Sequence, residues 1–127
     1  MSTLLPLKTL LSHPRLADGP LVVVALCAEW CGTCREFQPL LERIAAAHPD
    51  MLTAWADIED DAEIVGDIDL DSFPTLAIFR HGEALHFGPT LPLEAVLTRL
   101  IERISLDGGT TQPIPAEVAA LGRWLAG

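Results

Sequence analysis

The run Leu21-Val22-Val23-Val24-Ala25-Leu26-Cys27, entered through Asp18-Gly19-Pro20, is continuously apolar and rich in β-branched residues. A strand with one wet face alternates polar and apolar side chains, so this run predicts a central strand covered on both faces. The other elements arrange themselves around it. From Gly32 to His48, Phe37, Leu40, Leu41, Ile44 and Ala45 recur at helical spacing, with Pro39 expected to kink the helix. Leu52 to Ile58 reads as a second strand, and Asp60 to Gly66 as a short helix capped by Asp60 or Asp61. Thr75 to Arg80 and Glu83 to Gly88 flank His81-Gly82, a two-residue connection of the kind that tight hairpins use. Pro92 to Ile104 then carries Leu93, Val96, Leu97, Leu100, Ile101 and Ile104 at amphipathic-helix spacing. The order is βαβαββα. Crossovers make the first strands parallel and the hairpin adds antiparallel ones, which gives an α/β fold with a mixed sheet and helices on both faces. Ahead of this core, Leu4 and Leu5 suit a short edge strand, and Leu7 to Leu16 one or two helical turns.

The chain has 127 residues, half of them hydrophobic, which suffices for one domain and leaves no room for a second. Roughly two-thirds of the unfolded surface is buried at this size, so the core needs no structural disulfide or metal. The three cysteines are free for chemistry. A net charge of −10 without a basic cluster excludes nucleic acid and anionic membranes as main partners. The longest apolar run, Leu21 to Ala28, is far short of the roughly 18 residues of a membrane span. Met1 to Leu16, interrupted by Pro6, Lys8, His13, Pro14 and Arg15, reads poorly as a signal peptide. The expected location is the cytoplasm, where a close C-x-x-C pair signals redox chemistry or metal binding.

Trp30-Cys31-Gly32-Thr33-Cys34 lies where the central strand gives way to the kinked helix. Cysteines three apart on a first helical turn lie side by side, near enough to form a disulfide. The unpaired N–H groups and the dipole of the helix N-terminus lower the pKa of the outer thiol, which makes Cys31 the expected attacker. Cys34, one turn further in, is the expected resolving thiol, and the cycle ends with a Cys31–Cys34 disulfide.

The segment Ala28 to Cys34 resembles the active-site segment of thioredoxins, with Thr33 where the family usually has proline. Pro39 matches the family's helix-kinking proline, Phe73-Pro74-Thr75 its cis-proline loop, Phe79 to Glu83 its final hairpin, and Gly88 the small residue beside its groove. The resemblance covers about residues 20 to 105 of what is expected to be a single thioredoxin-like domain. It implies a thiol-disulfide oxidoreductase acting on protein disulfides, re-reduced by a thioredoxin-reductase-type flavoenzyme, with no bound cofactor. It also implies a substrate groove of Trp30, Gly32, Thr33, Phe73, Pro74 in the cis form, and Gly88.

Two departures bear on mechanism. Typical thioredoxins carry a buried aspartate where this chain has Ala25, and a lysine partner where it has Trp55. The exchange leaves Cys34 without its usual base, and Glu29, Asp57 and Glu59 are the acidic candidates to replace it. Thr33 keeps an N–H that proline lacks, so the couple is expected to be more oxidising than the roughly −270 mV of a typical thioredoxin, by about 20 to 60 mV.

Other constellations are weaker. Cys27 ends an apolar strand and is expected to be an inert core residue. His13, His48, His81 and His86 are scattered singly and read as surface residues, which disfavours zinc. Asp67, Asp69 and Asp71 copy the start of a calcium loop, but Ser72 and Ile78 stand where its glycine and glutamate are required. Beyond Ile104, the segment from Asp107 to Pro115 breaks regular structure. Ala116 to Ala126 then reads as a helix with Val118, Leu121 and Leu125 on one face, expected to dock on the domain. The competing function is a binding module or assembly chaperone that holds peptides in the same groove with little turnover.

Overall fold

The computed structural model describes residues 4–10, 13–28, 32–48, 50–59, 61–65, 74–81, 83–90, 93–107 and 114–125. Its strands are β1 (Leu4–Pro6), β2 (Val22–Cys27), β3 (Leu52–Asp57), β4 (Thr75–Arg80) and β5 (Glu83–Pro89). The helices are α1 (Leu7–Leu10), α2 (Gly32–Ala47), α3 (Ala62–Val65), α4 (Glu94–Asp107) and α5 (Ala116–Leu125), with a 3-10 turn over Pro14–Asp18.

One sheet runs β1-β3-β2-β4-β5. β1, β3 and β2 are mutually parallel, while β4 runs antiparallel to β2 and β5 antiparallel to β4. β2 is therefore the middle strand, and every one of its side chains is buried. Alternation divides those side chains between two cores. Val23, Ala25 and Cys27 join Phe37, Leu41 and Ile44 of α2 and Leu97, Ile101 and Ile104 of α4. Val22, Val24 and Leu26 face Leu7 and Leu10 of α1, Val65 of α3, and Val118 and Leu121 of α5. This is the thioredoxin fold that the sequence resemblance implied, with α5 packed on the sheet. Full burial of a side chain such as Val118 or Leu121 contributes about 1.5–3 kcal/mol, which a helix of this length needs to stay formed.

Several local features depart from expectation. Asp61 does stand at the N-cap of α3, where its carbonyl accepts the Val65 N–H at 2.9 Å. Its carboxylate, however, turns backward and accepts the Asp57 N–H at 3.0 Å, fastening the loop to the end of β3 instead of capping the helix. Asp60 lies outside the described residues, as do Asp67, Asp69 and Asp71. α4 begins at Glu94, so Leu93 precedes it and Val96 falls one position off the inward stripe. Both are exposed, and Leu97, Ile101 and Ile104 make the buried contacts.

His81, at the tip of the β4–β5 hairpin, has φ 53°, and Gly19 before β2 has φ 70°. The two turns touch: the His81 ring fills the space that a Cβ on residue 19 would occupy. Glycine is thus required there by conformation and by contact. No helix among the described residues is long and apolar enough to cross a membrane.

Candidate functional site

β2 delivers the chain to the carboxyl end of the parallel strands, the end of an open α/β sheet where sites usually form. Cys27 is its last residue and pairs with Asp57 of β3. The Ile58 N–H donates to the Cys27 carbonyl at 2.9 Å, extending that pairing past the strand end. On the other side Leu26 pairs with Thr75, which sets the next residue, Pro74, opposite Cys27. Pro74 is buried, and its carbonyl accepts the Thr90 N–H at 3.0 Å. Asp57, Cys27 and Pro74 thus form one row along the rim of the sheet.

α2 starts immediately beyond the rim. Gly32 is exposed, and among the described residues no side chain packs within 4 Å of where its Cβ would stand. Cys34 faces the other way. It begins the stripe Cys34, Phe37, Leu41, Ile44 that packs on the sheet, and it is 1% exposed.

Cys34 is disulfide-bonded to Cys27, which is 0% exposed, across a Cα–Cα distance of 5.9 Å. That distance lies within the usual range of roughly 4.4–6.8 Å for bridged cysteines. The bond corrects one expectation: Cys27 is buried as anticipated, but it is not an inert core thiol, because it is bonded to Cys34. The physical reason is facing: the odd positions of β2 and the inward stripe of α2 meet in one core, so both sulfurs point into the same space. The signal was present in the parity of residue 27 with Val23 and Ala25, which marks the face that α2 covers.

The layer next to this bond is apolar. Ala25 pairs with Trp55, and the Trp55 ring lies against Phe37 at a centroid distance of 6.4 Å and an interplanar angle of 47°. Hydrocarbon therefore fills the position of the family's buried ion pair, an exchange that costs little stability. Of the candidate acids, Asp57 is buried and holds the Glu59 N–H on its Oδ1 at 2.8 Å, whereas Glu59 is exposed. Glu29 lies outside the described residues.

Trp30, Cys31 and Phe73 also lie outside them, and with Phe73 the isomer of the Phe73–Pro74 bond. Thr33 sits in the first turn of α2, its side chain outside the description. Gly88 is half-buried on β5 opposite Leu76. A cavity of about 590 Å³ opens at the opposite end of β2, beside Leu21, Met51 and Ile101, and none of the described site residues lines it.

Of the histidines, His81 is exposed and the other three are partly buried. His13 caps the 3-10 turn by accepting the Arg15 N–H at 3.1 Å, and His48 donates from Nδ1 to the Ile44 carbonyl at 2.9 Å. His86 on β5 corrects the surface reading most clearly: both ring nitrogens are buried without a hydrogen-bond partner among the described residues. Burial lowers its pKa below the usual 6.5.

The thioredoxin family model matches residues 13–98, most of this chain and every element from β2 to β5. The chain belongs to the thioredoxin family. It is 36% identical over 86 residues to a putative thioredoxin 2 of Streptomyces coelicolor, a match covering 68% of this chain and 64%, a little under two-thirds, of that protein. To the thioredoxin of Chlamydia pneumoniae it is 34% identical over 88 residues, covering 69% of this chain and 85% of the other. The crystal structure of the germline-specific thioredoxin Deadhead of Drosophila melanogaster has the same fold, with a TM-score of 0.68, 21% identity, and coverage of 82% of this chain and 99% of that one. Within the thioredoxin frame this chain carries a Cys27–Cys34 pair joining the end of β2 to the first turn of α2, and α5 lies past the region that the family model matches.

Proposed function

We propose that this thioredoxin-family chain is a protein-disulfide reductase in which Cys31 attacks and Cys34 resolves. The observation that carries the reading is Cys34 itself, a buried sulfur in the first turn of α2 that is already bonded to another sulfur. The Cys31 thiolate attacks a substrate disulfide, forming a mixed disulfide and releasing one substrate thiolate. Cys34 then attacks the Cys31 sulfur and releases the second substrate thiol. Two electrons pass from the dithiol to the substrate, and a Cys31–Cys34 disulfide remains, with no bound cofactor.

Trp30, Gly32, Thr33, Phe73, Pro74 and Gly88 form the substrate groove in this reading. Support comes from the exposure of Gly32 at the start of α2 and from Pro74, held on the rim beside Cys27. The substrates are disulfide-containing proteins, and the electron donor is a flavoenzyme of the thioredoxin-reductase type. A reducing compartment such as the cytoplasm keeps the dithiol in its working form.

Insulin-disulfide reduction by dithiothreitol tests the reading. Wild type is expected to accelerate insulin precipitation well beyond Cys31→Ser. A wild-type rate no greater than that of the variant overturns the reductase and favours a module that holds peptides without turnover.

A further inference from the structure

Three cysteines lie within eight residues of sequence, and among the described residues Cys34 is bonded to Cys27, the cysteine outside the C-x-x-C motif. Cys34 belongs to both possible pairs. It bonds to Cys27 in the structure, and it is the resolving partner of Cys31 in the reading above. Since one sulfur holds one disulfide at a time, Cys27 and Cys31 compete for it.

We propose that Cys27 is a third redox cysteine, exchanging with Cys31 for Cys34, so that the oxidised chain carries either a Cys31–Cys34 or a fully buried Cys27–Cys34 disulfide. The proposal rests on the reading of Cys31 as the attacking thiol. In the exchange the Cys27 thiolate attacks Sγ of Cys34. The Cys27–Cys34 bond forms, the Cys34–Cys31 bond breaks, and the electron pair leaves on the Cys31 sulfur. The proton lost by Cys27 is returned to Cys31 or to solvent. One disulfide replaces another, so no external oxidant or reductant is consumed.

The environments of the two sulfurs set the behaviour. A leaving group of low pKa departs readily, and Cys31, which directly precedes α2 in the sequence, is the expected thiolate of that kind. Cys27 lies in an apolar core that disfavours its thiolate, so its attack is slow compared with turnover. Once formed, the Cys27–Cys34 bond has both residues under 2% exposed, beyond the reach of an external thiol. Cys31 is then a free thiol without a resolving partner, able to form mixed disulfides but not to release them through Cys34. The exchange withdraws oxidised protein from the reductive cycle, and attack by Cys31 on the Cys34 sulfur returns it.

The cysteines all fall between Arg15 and Arg35, so trypsin leaves them in one peptide, whereas cleavage after Glu29 separates Cys27 from the other two. Wild type and Cys31→Ser are oxidised with diamide, alkylated in the native state, denatured, cleaved after Glu29 and analysed by mass. The variant is expected to stay monomeric, lose both remaining thiols and join its Cys27 and Cys34 fragments. Wild type should yield the same joined fragments in at least a tenth of the oxidised molecules, with Cys31 alkylated in those molecules. The proposal is overturned if the variant retains both thiols or blocks them only with other molecules, and wild type joins only Cys31 to Cys34. The wild-type measurement needs no substitution. Insulin reduction is read separately: absence of the Cys27–Cys34 fragments with activity intact removes the third cysteine alone, while loss of the activity advantage removes the reductase reading.

Discussion

Ala25 and Trp55 are register partners on adjacent strands, and with Phe37 they make the apolar layer next to the Cys27–Cys34 bond. A carboxylate at residue 25 would sit on the core face that carries Cys34. Ala25→Asp is therefore expected to speed resolution of a Cys31 mixed disulfide by about a hundredfold near neutral pH, the low end of what a positioned base supplies. It also loses stability. Burial raises the pKa of the new carboxyl above its unfolded value, so the penalty is least in acid, grows as pH rises through that interval, and levels off above the folded pKa. Single-turnover release of a model mixed disulfide checks the first effect, and urea unfolding at pH 5 and pH 8 checks the second. An unchanged release rate means that another group takes the Cys34 proton.

His86 gives the native chain a pH dependence of its own. Its folded pKa lies below 6.5, so on acidification the unfolded chain takes up the proton first. Stability therefore falls as pH drops through 6.5 and stops falling once the folded ring is protonated as well. His86→Leu removes this proton uptake together with two buried nitrogens that have no partner among the described residues, and is expected to gain roughly 1 kcal/mol at pH 7.5. The margin in Tm over wild type should widen at pH 5.5. An equal margin at both values would show that the ring is hydrated in solution.

α5 covers the face of the sheet opposite α2, with Val118 and Leu121 in that core. Leu121→Ala is expected to cost about 2–4 kcal/mol, measured by urea unfolding. Truncation after Asp107 uncovers apolar surface on β4 and β5 and should lower Tm and promote self-association. A truncated chain with unaltered Tm that remains monomeric would show that the helix contributes nothing to the fold.

Thr33 stands in the first turn of α2, where its N–H is one of the donors left unpaired by the helix. Thr33→Pro removes that donor from beside the expected Cys31 thiolate and should make the couple more reducing, by about 20 to 60 mV in a glutathione titration. A potential that is equal or more oxidising would show that the donor does not reach the sulfur.

Local pattern accounts for what could be read in advance. The unbroken apolar run from Leu21 to Cys27 became the central strand, because only a strand covered on both faces tolerates having no polar position. The spacing of Phe37, Leu41 and Ile44 carried α2 and its buried face, and that of Val118 and Leu121 carried the docking of α5. Cysteines at helix spacing beside Trp30 and a proline ahead of Thr75 were enough to mark the candidate site within the family pattern.

Choices among partners were different in kind. The backward turn of the Asp61 carboxylate to the Asp57 N–H depends on how the end of β3 meets the loop before α3, which no local propensity encodes. The burial of the His86 nitrogens likewise depends on what packs over β5. The same holds for the sulfurs. Periodicity assigns Cys27 and Cys34 to faces of their own elements, but only the packing of α2 on the sheet brings those faces together and sets the Cα atoms 5.9 Å apart. The sequence alone determined which side of each element is buried, because that depends on neighbours along the chain. The tertiary structure decided which buried groups meet, because that depends on distances across the core.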